Sequence, residues 1–413
     1  METCFYCKQG LKTRVVKDAS ARRSNQAGLN DVLHCGPNLL QEITKVILKF
    51  RQYRFAFTAD IEKAFLQFRI ADSDKTFLSF LWPLNISEDK SAKIRGFWAT
   101  RLDFGLICSP FLHCQGIRFH LESSFAHHPE DRQFIEVIRD NFYMDDVIGG
   151  ANSFDEAKHR IQVLTDIFTD GHFPLDKWSA NSTEIGEFIE RMSPVKDLTI
   201  SIGQANHKTL GVPWNQVQDE LGTPTSKALR ELTTGVPPKR KLLRATAQIV
   251  DPLGIISPII GPVKSQFQEL WEKKIGWDEA LKGNLLKQDG NFSKLLSQAE
   301  GIAIPRHMLS SQGTSARKEL FMFSDASLRG CGIVAYIREQ HGTAPPSVSF
   351  VLSKSKIAPV EAFTIHRLEL LGALLAARMA ERILEWLDFK IEAVITSATT
   401  HNQQFLAGLP RIR

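Results

Sequence analysis

The sequence predicts an α+β fold, and three observations carry that prediction. A period-two strand, an acidic hairpin, a capped helix and another short strand follow one another between residues 53 and 181, an order that builds an α+β layer rather than a doubly wound sheet. Strands return from Glu319 and lead into one long helix and a last strand. Between these parts runs a helical stretch broken by prolines and glycines at Asp251-Pro252-Leu253-Gly254 and Ser257-Pro258.

At 413 residues the chain has room for roughly two to four cores. A 43% hydrophobic and 23% charged composition is that of a globular protein and excludes wholesale disorder. The balance of 51 basic against 46 acidic residues, 51 − 46 = +5, permits a polyanionic partner without demanding one. Cysteines stand at 4, 7, 35, 108, 114 and 331. Only Cys4-x-x-Cys7 has ligand spacing, and with no second pair a structural zinc is not expected. Scattered thiols fit a reducing compartment. With no signal-like apolar core at the N-terminus and no run long enough to span a bilayer, the expectation is an intracellular protein of cytoplasm or nucleus with no membrane partner.

In order along the chain, Lys12–Arg23 is basic and reads as a solvated strand and loop. Leu40, Ile43, Val46, Ile47 and Phe50 share one face of a helix over residues 39–50. Tyr53, Phe55, Phe57 and Ala59 alternate with Arg54, Thr58 and Asp60, so a strand ends with an acid on its open face. Such an acid is either a metal ligand or the cap of the turn that follows. Gly105 precedes Ser109-Pro110 and a helix over 111–121, where a glycine lets backbone and ligand come close.

The run Asn141–Gly149 reads as strand, acidic turn and strand, with Asp145 and Asp146 exposed at the tip. Asp-Asp pairs occur by chance about once in a chain this long, so this pair gains meaning only from a third carboxylate, which Asp60 supplies. Ser153-Phe154-Asp155-Glu156 is a capping box opening a helix that Gly171 ends. Further on, Thr209–Trp214 makes a tight turn, helices are expected near 225–234, 239–249 and 260–274, and 284–316 reads in part as a linker. The last part gives a strand over 319–327, a second at Ile333–Ile337, a helix from Thr364 to Leu387 and a strand at Ile391–Thr396. This order resembles that of a ribonuclease H-like unit, whose first two acids would be Asp325 and Glu369.

Phosphoryl transfer to a nucleic-acid end uses two divalent cations about 3.5–4 Å apart, and hard magnesium prefers carboxylate oxygen. Asp60, Asp145 and Asp146 meet that need if their strands are neighbours. Here Phe57-Thr58-Ala59-Asp60-Ile61-Glu62-Lys63-Ala64-Phe65, Tyr143-Met144-Asp145-Asp146, Gly171–Trp178 and Asp251-Pro252-Leu253-Gly254 together resemble the Pol polyprotein of BEL/Pao retrotransposons, from about Lys12 to Val394. The resemblance implies a right-hand polymerase with partial fingers, a palm and thumb- or connection-like helices, then a truncated ribonuclease H-like α/β domain. It divides the chain at 1–50, 51–190, 191–315 and 316–413.

It also implies an RNA-directed DNA polymerase with Asp60, Asp145 and Asp146 as catalytic metal ligands for two Mg2+ ions, Mn2+ being an alternative. Its partners would be an RNA or DNA template with primer, and dNTP. Tyr143 and Met144, just before the acids, would bind substrate. Gly105 would lie near template and nucleotide, and Leu210–Trp214 would steady the primer end. Phe65 would exclude a ribose 2′-hydroxyl by collision, Arg14 would meet the triphosphate, and Lys177 would protonate the departing pyrophosphate.

The pattern breaks in two places. The family has an aromatic residue where Lys17 stands, and Ser397 falls where a third ribonuclease H acid is expected, so RNA cleavage is expected to be lost. A catalytically inactive relic that at most binds nucleic acid is therefore the competing reading. A plain α+β scaffold with surface acids is a third.

Overall fold

The computed structural model describes residues 4–9, 12–22, 24–84, 93–192, 199–205, 207–232, 239–310, 316–360 and 363–398, with the side chains of 4–15 and of Asp289 excepted. The chain opens with β1 (Cys4–Gln9) and β2 (Lys12–Lys17), paired antiparallel from Cys4↔Lys17 to Gln9↔Lys12. Arg14, Cys4 and Cys7 are placed on these strands, but their side chains lie outside the described residues. A one-turn α1 (Leu29–Val32) precedes α2 (Ile43–Phe50), which starts four residues later than its apolar face suggests. The Asn38 side chain accepts from the backbone of Leu40, which holds that approach in a turn.

The first large sheet has the order β6-β3-β7-β8. Its members are β3 (Phe55–Ile61), β6 (Asp146–Ala151), β7 (Leu175–Ala180) and β8 (Ile200–Ile202). A separate hairpin pairs β4 (Ser79–Pro83) with β5 (Ile94–Trp98). Helices α3 (Ser109–Ser123), α4 (Arg132–Asn141), α5 (Phe154–Asp170) and α6 (Thr183–Met192) contribute to the core of this part. Phe57, Ala59, Val147 and Trp178 pack there against Ile161, Leu164, Ile167 and Phe168 of α5. The Ser153 hydroxyl caps α5 by accepting from Glu156 N at 3.2 Å, as the capping box predicts. β3 is a central strand, so Ala56 on its other side joins a second core with α2. The even alternation read from the sequence is thus replaced by burial on both faces.

A second sheet, β12-β11-β10-β9, is built from β9 (His207–Thr209), β10 (Val212–Asn215), β11 (Glu220–Gly222) and β12 (Ala303–Pro305). Helices α7 (Ser226–Leu232), α8 (Lys239–Ala247), α9 (Ser257–Glu272) and α10 (Gly283–Gln298) share a core of their own. The expected linker is in part a helix: Leu285, Phe292, Leu296 and Ala299 fall on one helical face and are buried.

The C-terminal sheet, β15-β14-β13-β16, comprises β13 (Arg317–Ser327), β14 (Gly330–Gln340), β15 (Ser347–Ile357) and β16 (Ala393–Ala398). β16 runs parallel to β13 and the other pairs are antiparallel. α11 (Ile365–Trp386) packs on one face through Ala376, Met379, Ala380 and Ile383. This core is continuous with that of α2, Trp214 and Leu221. At the seam sits Gly254, with φ +75; a Cβ there would lie 2.0 Å from the carbonyl oxygen of Ser353, an approach only glycine permits. Asp251 fixes the bend by accepting from the backbone N–H of Ile255 and Ile256 at 2.8 and 2.9 Å. Among the described residues no helix is long and apolar enough to cross a membrane.

Candidate nucleotidyl-transfer site

Asp60 lies opposite Asp146 in the antiparallel register of β3 and β6. The chain reaches Asp146 through a tight turn. Tyr143 and Asp146 exchange backbone hydrogen bonds of 3.1 and 2.9 Å, which puts Met144, at φ +53, and Asp145 at the tip. The Asp145 carbonyl accepts from Ile61 N at 2.9 Å, fixing the tip to the end of β3. The expected strand before the acids does not form. Phe134, Ile135 and Ile138 recur at helical spacing and carry α4 as far as Asn141, so the turn is entered from a helix. Asp145 is exposed, whereas Asp146 is half-buried, against the reading that placed both at an exposed tip.

Lys177 completes the group. Between Thr58 and Asp60 the register with β7 shifts, two residues of β7 facing one of β3, and Lys177 there has φ +51. Such a bulge re-aims a side chain, and the Lys177 ammonium donates to Asp60 Oδ2.

The electrostatics follow from crowding. Burial, then the charges of Asp145 and Asp60, push Asp146 up to about 7. Asp60 is raised as well, by burial above all, with Lys177 pulling the other way. For Lys177 burial acts downward, but its bond to Asp60 and the charges of Asp60, Asp145 and Asp176 outweigh it and the net shift is upward. A divalent cation would relieve this repulsion, and an all-carboxylate donor set suits a hard ion. Among the described residues no three His, Cys, Asp or Glu side chains stand close enough to hold a metal as folded; Asp60 is paired with Lys177 instead.

The other expected residues take distinct places in the fold. Phe65, in a 3₁₀ turn over Ala64–Gln67, packs edge-on to Phe104 and His113 with ring centroids 5.0 and 5.2 Å apart. Gly105, at φ +100, makes its close approach to the backbone of Lys17: a Cβ would meet that carbonyl oxygen at 1.9 Å. Its conformation is therefore set by packing against the end of β2. The Leu210–Trp214 turn is anchored through Trp214, which is fully buried, stands edge-on to Phe50 and donates Nε1 to Asp219 Oδ1 at 3.0 Å.

One residue the sequence reading passed over is His113. It is buried on α3, with Nε2 2.8 Å from the Met144 carbonyl oxygen, so it braces the turn that presents Asp145. The available signal was a polar side chain on the otherwise apolar face of Cys114, Ile117 and Leu121.

In the C-terminal sheet Asp325 is exposed near the end of β13 and Glu369 is half-buried on α11. Ser397 stands level with Phe323, two residues short of Asp325, and residue 399 lies outside the described residues.

This α+β architecture resembles that of solved reverse transcriptase structures, and a ribonuclease H-like domain stands at its C-terminal end. Residues 238–398 match the family model for the Pao retrotransposon-like RNaseH-like domain. Among solved structures the chain is similar to a foamy viral protease-reverse transcriptase dRH in complex with ds DNA, at 14% identity and TM-score 0.60, over 96% of this chain and 58% of that one. It is also similar to a foamy viral protease-reverse transcriptase in complex with RNA/DNA hybrid, at 14% identity and TM-score 0.52, over 93% of this chain and 43% of that one. A third, the foamy viral enzyme in complex with dsDNA, gives 14% identity and TM-score 0.53 over 97% and 78%. The chain thus spans about half of the first two. No curated protein matches its sequence. The family match thus covers the C-terminal part of the chain, and the likeness of the remainder is one of fold.

Proposed function

We propose that the chain is the RNA-directed DNA polymerase module of a BEL/Pao-type retroelement, adding dNTP to a primer 3′-hydroxyl on an RNA or DNA template. The observation that carries this reading is the register of Asp60 against Asp146, with Asp145 one residue away and tied to Ile61. Asp60, Asp145 and Asp146 would hold two magnesium ions, or manganese in their place. Bound there, such ions supply Lewis acidity, lowering the pKa of the primer hydroxyl and neutralising charge on the pyrophosphate. The chain's own residues do the rest. Phe65 stands five residues after Asp60 to exclude ribose. Arg14 meets the triphosphate from β2, and Lys177 gives its proton to the departing pyrophosphate.

The relic reading is favoured by one observation: as folded, Asp60 is committed to Lys177 and no three ligating side chains among the described residues converge at metal-holding distance. Magnesium-dependent primer extension on an RNA template separates the two. The polymerase reading expects extension by the purified chain and its loss in Asp145→Asn, with circular dichroism unchanged. Undiminished extension by the variant rejects the assignment of the acids, and no extension by the parent supports the relic.

A further inference from the structure

Two buried arginines outside the acid site join the C-terminal domain to the strand that carries Asp60. Arg51, the residue after α2, is 1% exposed. Its guanidinium donates to the carbonyl oxygens of Val351 at 2.9 Å and Phe350 at 2.8 Å in β15, and to those of Pro305 and Arg306 at 3.3 and 3.2 Å. Arg306 is 0% exposed and forks onto Asp219, with both N–O distances 2.7 Å. It also donates to the carbonyls of Phe50, Tyr53 and Arg54 at 2.8, 2.7 and 2.8 Å.

Asp219 lies in the β10–β11 turn and accepts from Trp214 Nε1 and from Asn181 Nδ2, each at 3.0 Å. Asn181 in turn accepts from Ala56 N at 2.9 Å through Oδ1. On the far side Gln52 Nε2 donates to the Trp386 carbonyl at 2.8 Å and Gln52 Oε1 accepts from Asp388 N at 2.6 Å, closing onto the end of α11. Residues 50–56, the run that leads into β3, thus share hydrogen bonds with groups at 181, 305–306, 350–351, 386 and 388, and Asp219 holds two of those partners, Asn181 and Arg306.

A buried polar network of this kind imposes one arrangement, because every broken member leaves a desolvated partner. We propose that Arg51 and Arg306 are positioning residues through which the C-terminal sheet domain holds β3 and the β10–β11 hairpin in register. The domain is then a scaffold for the acid site, whatever becomes of its own Asp325 and Glu369. The effect on nucleotide addition rests on the polymerase reading; the mechanical coupling does not.

Hydrogen exchange on the full chain tests the coupling. In Arg51→Met, exchange in Phe55–Ile61 and Val212–Gly222 should quicken by about tenfold or more, with α5 changed by less than about twofold. Arg51→Lys, which keeps a cation but not the fork, should fall between. In primer extension, Arg51→Met should lower kcat by about tenfold with KM for dNTP within about twofold, and Arg51→Lys should restore part of it. Faster exchange confined to Arg306 and 350–351, or spread evenly into α5, would overturn the proposal. Should Arg51→Met not fold, Arg306→Lys and Asp219→Asn carry the same comparison. A parent chain that extends no primer counts against the polymerase reading, and the exchange pattern still decides this one.

Discussion

Lys177, carried out of register by the bulge in β7, reaches across to Asp60 and donates to its Oδ2. The pair supplies a counter-charge to a cluster in which Asp145 and Asp146 also stand. Because Lys177 is 53% exposed, the bond itself contributes about 1 kcal/mol or less. Its interest lies in competition, since the same carboxylate is the one expected to take a metal.

Replacing Lys177 by Met should therefore change the response to magnesium more than it changes stability. The variant is expected to melt slightly below the parent in chelator. Millimolar magnesium should raise its Tm by more than it raises the parent's, because no ammonium contests Asp60. Equal magnesium shifts would mean that Lys177 and the ion do not share that carboxylate.

Phe65 is held edge-on between Phe104 and His113, so its ring has a defined direction. Phe65→Ala should raise ribonucleotide incorporation relative to deoxynucleotide by about tenfold or more, since the proposed discrimination is by steric exclusion. Competition of rNTP against dNTP in single-nucleotide extension measures it. An unchanged ratio would make Phe65 a packing residue only.

His113 is the support beneath the Met144–Asp145 tip. Its removal leaves the Met144 carbonyl without that partner, at a cost of about 1–3 kcal/mol. His113→Leu should lower the urea midpoint accordingly and also slow primer extension in protein that remains folded. Loss of stability with the full rate kept would show that the turn does not depend on this bond.

His307, beside the buried Arg306, is pulled down to about 4, by burial first and then by the Arg306 charge. A base with a depressed folded-state pKa contributes stability that is present above its unfolded value of 6.5 and is lost as pH falls toward 4. The interval corresponds to about 3 kcal/mol. Urea unfolding between pH 7.5 and 4 should show the parent losing that much relative to His307→Gln. A parent–variant difference constant over this range would contradict it.

Local pattern made much of this chain legible, and distance in sequence hid the rest. The strand near residues 55–60 and the Ser153-capped helix could be read because strand and capping signals are written within a few residues of each other, whereas the burial of both strand faces is set by distant helices. α10 was missed in a Gly-, Ser- and Gln-rich stretch whose apolar face is sparse but regularly spaced. β15 went unread because Ser347, Ser349, Ser353, Lys354, Ser355 and Lys356 dilute its apolar run, and its place is set by pairing with β14. The acids of the site were legible as residue types. Their meeting depends on the β3–β6 register, on His113 from α3 and on the Arg306–Asp219 pair, whose members stand 87 residues apart.

Asp60, Asp145 and Asp146 are proposed to form one metal site. Anomalous scattering from crystals of the chain grown with Mn2+, template–primer and a non-hydrolysable dNTP tests it most directly. Manganese peaks are expected at about 2.0–2.3 Å from carboxylate oxygens of Asp60 and of Asp145 or Asp146, with the Lys177 ammonium moved off Asp60. Manganese found only elsewhere, with Lys177 still bonded to Asp60, would contradict it.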